Sequence, residues 1–405
     1  MIDSASAPDS PYAWLRLAAS MLVATIACVG MWSVVVVLPL VQREFGTARA
    51  EASLPYAAMM LGFAAGTMLM GRIADRHGMV VPIVLAAVLL AAGYVAAGLA
   101  PGLTAFALAH GLLIGVGAAA GFAPLMADIS HWFVARRGLA VVLAASGNYI
   151  AGALWPLVLN EALPAMGWRN AHFAIAAFVL FALLPLAPVF ARRVSRGVLA
   201  RAEEATAKAR ASLGVSANTL QAILCVAGFS CCMAMSMPQV HLVAYCGDLG
   251  YGVARGAEML SLMLALGIVS RIGSGFLADR IGGGATLLVG SFMQMAALAL
   301  YTWFDGLTSL YVISGIFGLF QGGIVPMYAV IIRDYLPPRE AGARIGIVIT
   351  ATILGMAFGG YAAGWIFDHF ASYRMAFLDG IAWNGINLAL VAWLLLRRRA
   401  AMAPA

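Results

Sequence analysis

Charged side chains are scarce in this chain: Asp, Glu, Lys and Arg make up 10% of its 405 residues, against 63% for the hydrophobic types. A soluble domain of this length needs a charged surface to stay in water, so the balance excludes one. Cysteine is scarce as well. Cys28, Cys225, Cys231, Cys232 and Cys246 form an odd set that falls mostly within apolar runs. That excludes a disulfide framework and offers no metal-binding spacing, so the thiols read as small hydrophobes. Acids are missing from the middle of every long apolar run. Paired carboxylates, a metal-spaced His/Glu cluster and a nucleophile with its base are all absent at that depth, so the sequence holds no candidate enzyme active site. Neither a metal nor another cofactor is expected.

Long apolar runs are what the chain has in abundance. A hydrocarbon core of about 30 Å takes roughly 20 helical residues to cross. Twelve runs of that order stand at 15–41, 53–74, 80–100, 103–130, 138–160, 170–191, 217–245, 256–278, 284–304, 307–332, 343–366 and 375–396. The expected fold class is an all-α membrane protein. The only long polar stretch, ARRVSRGVLARAEEATAKARASLGVS, ends at residue 216. It divides the chain into a bundle of six spans (1–191), a linker (192–216) and a second bundle of six (217–405). The opening MIDSASAPDSPYAW precedes an apolar run too long for the core of a signal peptide, so no cleaved leader is expected.

The formal net charge is +7, and its distribution follows topology. With the N-terminus inside, the cytoplasmic segments hold Arg16, Arg72, Arg76, Arg136, Arg137, the group from Arg192 to Arg210, Arg280, Arg333, Arg339, Arg344 and Arg397 to Arg399. The outer segments hold only Arg43, Arg49, Arg169, Arg255 and Arg374. This positive-inside bias puts both termini in the cytoplasm, with a bacterial inner membrane as the expected location. It also accounts for the basic excess without nucleic acid as a partner.

The two halves repeat. Gly71-Arg-Ile-Ala-Asp75-Arg76-His-Gly78 closes the second span, and Gly275-Phe-Leu-Ala-Asp279-Arg280-Ile-Gly282 closes the eighth, 204 residues later. The same offset roughly relates Trp168-Arg169 with Phe173 to Tyr373-Arg374 with Phe377, and brings Pro124 near Pro326. Parallel repeats of this kind imply two pseudo-symmetric six-helix halves with a binding site between them near mid-depth. Asp75, Arg76, Asp279 and Arg280 lie at cytoplasmic helix ends, where charge pairs and helix termini would latch an inner gate. Asp128 in the fourth span is expected to pair with Arg72 or Arg76, and Arg333 and Asp334 occupy the related place in the second half.

The paired G-x-x-x-D-R-x-G loops resemble the signature loop of the major facilitator superfamily, and the likeness spans the chain. At the fifth span, Trp132-Phe133-Val-Ala-Arg136-Arg137-Gly-Leu139-Ala140-Val-Val-Leu-Ala144-Ala-Ser-Gly147 is similar to the signature of the monocarboxylate and oxalate transporter branch. Ala135 replaces the first base of that signature and Val142 its first glycine. The resemblance implies a substrate carboxylate bound by an arginine in the eighth span, where Arg271 stands. Proton-coupled members of the branch carry an acid one turn earlier, which is Gly267 here. The acid or lysine that many have in the first span is absent from Cys28-Val-Gly30-Met-Trp32-Ser33. The exchanger type implies a second cation in the eleventh span, and Ile345 to Gly364 has none.

Arg271 also stands out without any family. Its counterpart at the repeat offset is Thr67, so the shared scaffold does not require it. Gly267, Ser274 and Gly275 flank it on one helix face, a surface suited to a cavity or to a closely approaching helix. Eight residues, about 12 Å, separate it from Asp279 at the membrane edge. A guanidinium at that depth marks a substrate pathway by default and pairs bidentately with a carboxylate. The bland alternative is a structural arginine tied to a carboxylate or to helix carbonyls.

Other polar residues within the spans are candidates for lining the cavity. Gln321 and Tyr328, like Asn148 and Trp155, are seven apart and hence expected on one face, and Gln239 precedes His241 in the seventh span. For each, an interhelical hydrogen bond is the bland alternative. His241 is the candidate to carry a coupling proton, set against a histidine simply bonded at a helix end. Trp32 reads as packing, and His77, His131, His172 and His369 as loop or helix-end residues. The function expected is secondary transport of small organic anions by proton symport or anion exchange. One arginine balances one negative charge, which favours monocarboxylates. The alternatives are an exporter of hydrophobic or aromatic compounds, and a membrane sensor that carries no cargo. A monomer in the lipid bilayer is the expected working unit.

Overall fold

The computed structural model describes residues 8–47, 54–194 and 196–402. Arg49, counted above among the outer cations, and the first seven residues lie outside that set. Every regular element among the described residues is helical. Twelve helices are long and apolar enough to cross a membrane. They are the first to sixth spans (Pro11–Val37, Leu54–His77, Val80–Gly98, Leu103–Trp132, Arg137–Leu159, Glu161–Phe190) and the seventh to twelfth (Ala217–Val243, Glu258–Ile281, Gly283–Trp303, Leu307–Tyr335, Pro338–Phe367, Tyr373–Arg397). The polar linker carries a helix of its own, Arg196–Ala211.

The described residues pack as two compact units. One takes Met1–Val134, Leu143–Ala200 and Pro338–Ile347; the other takes Ala135–Val142, Arg201–Pro337 and Val348–Ala405. The linker divides between the units at Ala200 and Arg201, and two helix beginnings lie in a different unit from the rest of their spans. The start of the fifth span packs with the second unit, and the start of the eleventh with the first.

Local sequence explains the main helix boundaries. Ser10 caps the first helix by accepting from the Ala13 N–H, with Pro11 in the first turn, where a missing N–H costs nothing. Ser216 caps the seventh span through the Thr219 N–H. The repeated motif ends each helix with a glycine in the left-handed region, Gly78 at φ 79° and Gly282 at φ 85°. A side chain at either position would be strained, so the last glycine of the motif is a helix stop.

Within the first unit, the second and fourth spans meet backbone to backbone. A Cβ on Gly62 would fall 1.8 Å from the Gly111 carbonyl oxygen, and one on Gly115 would fall 2.5 Å from that of Met59. Close crossings of this sort substitute dispersion contact for the hydrophobic drive that lipid does not supply. The fourth span departs from α-helical geometry at this crossing: His110–Gly115 is a π-helical turn and Ala119–Gly121 a 3-10 turn. Gly62→Ala is expected to prevent correct packing of the first unit. The check is fluorescence-detected size-exclusion of the detergent-solubilised protein, where the variant should lose the monodisperse peak that Gly273→Ala, a change into open space, keeps.

Candidate substrate site and helix caps

In the second unit, the eighth and tenth spans share a face of small residues. A Cβ on Gly318 would lie 2.3 Å from the Met263 oxygen, one on Gly322 would lie 2.2 Å from the Gly267 oxygen, and one on Gly323 would lie 2.0 Å from Ser274 Oγ. The face around Arg271 thus meets a closely approaching helix at Gly267, and at Gly275 it meets the start of the fifth span, where a Cβ would fall 2.5 Å from Val142 Cγ2. Arg271 is buried, 4% exposed, ten residues (about 15 Å) before the end of the eighth span. Its Nε donates to the Gly322 carbonyl at 3.0 Å. That carbonyl is available because the tenth span breaks there, one helix ending at Gln321 and the next starting at Ile324. Ser270 Oγ takes the Gly323 N–H at the same break, at 3.2 Å.

Gln321, beside the break, is buried. Its Oε1 accepts from Gln239 Nε2 at 2.5 Å, while its own Nε2 has no hydrogen-bond partner among the described residues. Gln239, Gln321 and Gly322 are therefore linked in a row ending at Arg271. Tyr328 is not part of it. The break at Gly322 and Gly323 interrupts the helical period on which a shared face for Gln321 and Tyr328 depended. Tyr328 instead donates to Asn387 Oδ1 at 2.9 Å, and Asn387 donates to Ser291 Oγ at 2.8 Å. Asn384 completes this buried network by donating to the Ser291 carbonyl at 2.7 Å. The two asparagines, three apart in an apolar span, were the missed sequence signal.

Asn148 is half-buried in the first unit with its Oδ1 unpartnered among the described residues. Trp155, seven residues on, uses its indole N–H on the Thr25 carbonyl at 2.8 Å, an interhelical tie. Trp32 packs on Gly152, where a Cβ would touch the indole at 2.6 Å. His241 Nε2 meets the Gly360 carbonyl at 2.8 Å, tying the seventh span to the eleventh. His172 lies near a helix end, shortly after the non-helical Gly167 at φ 75°, and is 0% exposed.

The motif aspartates have a defined task. Asp279 accepts from the Gly138 N–H at 2.6 Å and the Leu139 N–H at 3.1 Å. Asp75 accepts from the Gly342 and Ala343 N–H groups, each at 2.8 Å. The acceptors differ by 204 in number and so do the donors, so the repeat extends to the atoms of the two caps. Each carboxylate fills the positive, donor-rich end of a helix start. The motif's first glycines permit this approach: a Cβ on Gly71 would lie 2.2 Å from the Gly342 oxygen. Arg137 adds an ion pair to Asp334 at 3.3 Å. Arg76 and Arg280 are exposed, in the last turn of their helices, where a cation suits the dipole.

Asp128 pairs with neither Arg72 nor Arg76. It takes a bidentate bond from Arg16, Nε to Oδ2 and Nη2 to Oδ1, both at 2.7 Å. The first span faces Asp128 directly, and Arg16 is held there at 2% exposure between the Trp132 and Phe190 rings, each 4.8 Å away. A cavity of about 610 Å3 opens beside this pair, lined among others by Asp75, His131, Arg192 and Arg339. It includes none of the residues expected to bind substrate. At the opposite end of the first unit Glu44 accepts from Arg169 Nη2 at 2.7 Å and from the Trp168 indole N–H. The Arg169 bond holds the Glu44 carboxyl below the usual carboxylate range.

The family model described as Major Facilitator Superfamily matches residues 20–317 and 305–404. Monocarboxylate transporter 13 of Rattus norvegicus is 27% identical over 338 residues, covering 81% of this chain and 75% of that protein. Agnestins efflux protein AgnL12 of Paecilomyces divaricatus is 26% identical over 246 residues, covering 60% of this chain and 54% of that one. Among solved structures, the human organic anion transporter MFSD10 (TETRAN) superposes with a TM-score of 0.74 at 16% identity, over 95% of this chain and all of that one.

Proposed function

Because the chain belongs to the major facilitator superfamily, we propose that it is a secondary transporter of small organic monoanions, with Arg271 as the carboxylate anchor. The observation that carries this reading is a guanidinium buried at mid-span in the second unit, beside an unpartnered amide donor on Gln321. A buried donor without an acceptor costs about 1–3 kcal/mol, and a carboxylate drawn by the Arg271 charge would supply one to Gln321 Nε2. The likeness to a protein named as a monocarboxylate transporter supports the same substrate class. Gln239 orients Gln321. In this proposal the protein works as a monomer by alternating access, with the Asp75 and Asp279 caps opening and re-forming in each cycle. Both termini lie on the arginine-rich, cytoplasmic side of a bacterial inner membrane, and cargo is driven by proton symport or anion exchange.

The test is a melting screen of the purified protein against short-chain, hydroxy, keto, aromatic and dicarboxylic acids. A ligand at a hundredfold excess over its Kd stabilises by about 2.7 kcal/mol. One group of monocarboxylates should raise the melting temperature of the parent. Arg271→Gln should abolish the response, and Arg271→Lys, which keeps the charge but loses the fork, should weaken it. A response that survives in Arg271→Gln would refute the anchor. The Nε bond to Gly322 favours a second reading, in which Arg271 locks the eighth span to the tenth and the cargo is a hydrophobic compound for export. Stabilisation by neutral hydrophobic compounds alone would select it.

A further inference from the structure

His110 and His172 are both fully buried in the first unit, with ring centroids 6.0 Å apart. Each ring is oriented by its own helix. His110 Nδ1 lies 2.9 Å from the Phe106 carbonyl and His172 Nδ1 lies 2.7 Å from that of Trp168. A carbonyl only accepts, so each Nδ1 carries the hydrogen and each neutral ring presents a bare lone pair at Nε2. Neither Nε2 has a hydrogen-bond partner among the described residues. Two acceptors with no donor are thus enclosed together, in a place where each unmet bond is costly.

The surrounding shell is aromatic. Phe106 lies 4.2 Å from the His110 ring and 5.6 Å from that of His172. Tyr94 and Trp168 each stand 5.4 Å from His172. An aromatic face turned to a cation offsets part of its desolvation, though the rings here meet the histidines tilted or edge-on. The charged and titratable groups near the box are few. Tyr94 comes from the third span, with its hydroxyl 2.6 Å from Ser33 of the first. Arg169 follows the Gly167 turn of the sixth span and is paired with Glu44, after the first span, while its charge works against a second cation nearby. In the second span, Ala58 stands against Gly111, next to His110. His110 also opens the π-helical turn of the fourth span, a local distortion often found where a helix serves function.

We propose that His110 and His172 together bind one proton. The neutral pair has two acceptors and no donor, and the doubly protonated pair two donors and no acceptor. One added proton makes a complementary pair, one Nε2–H donor and one Nε2 acceptor. Centroids 6.0 Å apart are too distant for a direct nitrogen-to-nitrogen bond of about 3 Å, so the proton sits on one ring and reaches the other through a bridging water. The bond formed is Nε2–H, the proton comes from solvent, and no other bond changes. Use of this proton as the coupling ion rests on the transport reading above; its binding does not.

The experiment is nitrogen-15 NMR of the unsubstituted protein, histidine-labelled and in liposomes, from pH 8 down to about 3. Only six histidines contribute, and His110→Gln and His172→Gln assign the two signals. The result expected is two unprotonated Nε2 signals at high pH that move together as one proton is taken up on acidification, with burial opposing the added charge. Trp168, against the His172 ring, gives a second readout: its fluorescence should fall as the proton is taken up and should not do so in Trp168→Phe. If both Nε2 atoms stay unprotonated to about pH 3, the pair is structural and bridged by water alone, and the proposal is overturned. Because no cargo is present, this outcome is independent of the Arg271 screen. A titrating pair beside a failed screen would refute the carboxylate anchor only.

Discussion

Arg16→Ala is expected to destabilise the protein by about 3–5 kcal/mol, the range found when one partner of a buried ion pair is removed. The reason is what stays behind. Asp128 would keep its charge with both bidentate bonds gone. The carbonyls of Val189 and Arg192 would lose the Nη1 donor that joins the first span to the end of the sixth, and the Trp132 and Phe190 rings would face a hole where the guanidinium lay. The prediction has an internal control. Replacing both partners by apolar residues of similar size, Arg16→Met with Asp128→Leu, should recover most of the loss, because no charge is then stranded. Melting of the three purified proteins in one detergent decides it. Equal losses in the single and double variants would mean that packing of the long side chain, and not its charge, holds this end of the unit.

Asp75→Asn and Asp279→Asn should each cost about 1–3 kcal/mol. An amide offers one acceptor oxygen and turns its NH2 toward a backbone N–H, so each cap loses one bond and gains a repulsion, along with the favourable charge at a helix start. The caps lie in separate compact units, so the double variant should show the sum of the two losses. Gly138→Ala and Gly342→Ala approach the same caps from the donor side, since a Cβ would land 2.8 Å from Asp279 Oδ1 in one and 2.7 Å from Asp75 Oδ1 in the other. All four should melt earlier than the parent. Reconstituted protein should also exchange cargo at an altered rate, because the proposed cycle breaks and remakes these bonds. Variants that melt like the parent would remove the capping role.

Much of this architecture is legible in the residues. Twelve apolar runs become twelve spanning helices because the bilayer sets a minimum length and leaves the backbone no other way to bond. The Gly/Asp/Gly spacing of the repeated motif carries its own geometry: a glycine for close approach, a carboxylate for a cap and a left-handed glycine as a stop. What escaped depends on partners distant in sequence. Asp128 offered no sign that Arg16, not Arg72 or Arg76, would reach it, since the choice depends on which helix faces the fourth span. The seven-residue spacing of Gln321 and Tyr328 assumed a regular helix, and two adjacent glycines broke it. His110 drew no attention as a lone histidine in an apolar run. It becomes informative only when His172 stands beside it.

The exchanged helix beginnings bear on how the chain is made. Asp75 emerges from the ribosome long before the donors it caps, 267 and 268 residues later in the chain, so the eleventh span meets a carboxylate already in place. The fifth span has the opposite history. Its first N–H groups are synthesised about 140 residues ahead of Asp279 and must be satisfied by water or lipid headgroups until the eighth span arrives. Two caps with the same geometry therefore mature in opposite order, and the interval between the fifth and eighth spans is the stretch of synthesis during which an insertion factor or chaperone has an open helix start to hold.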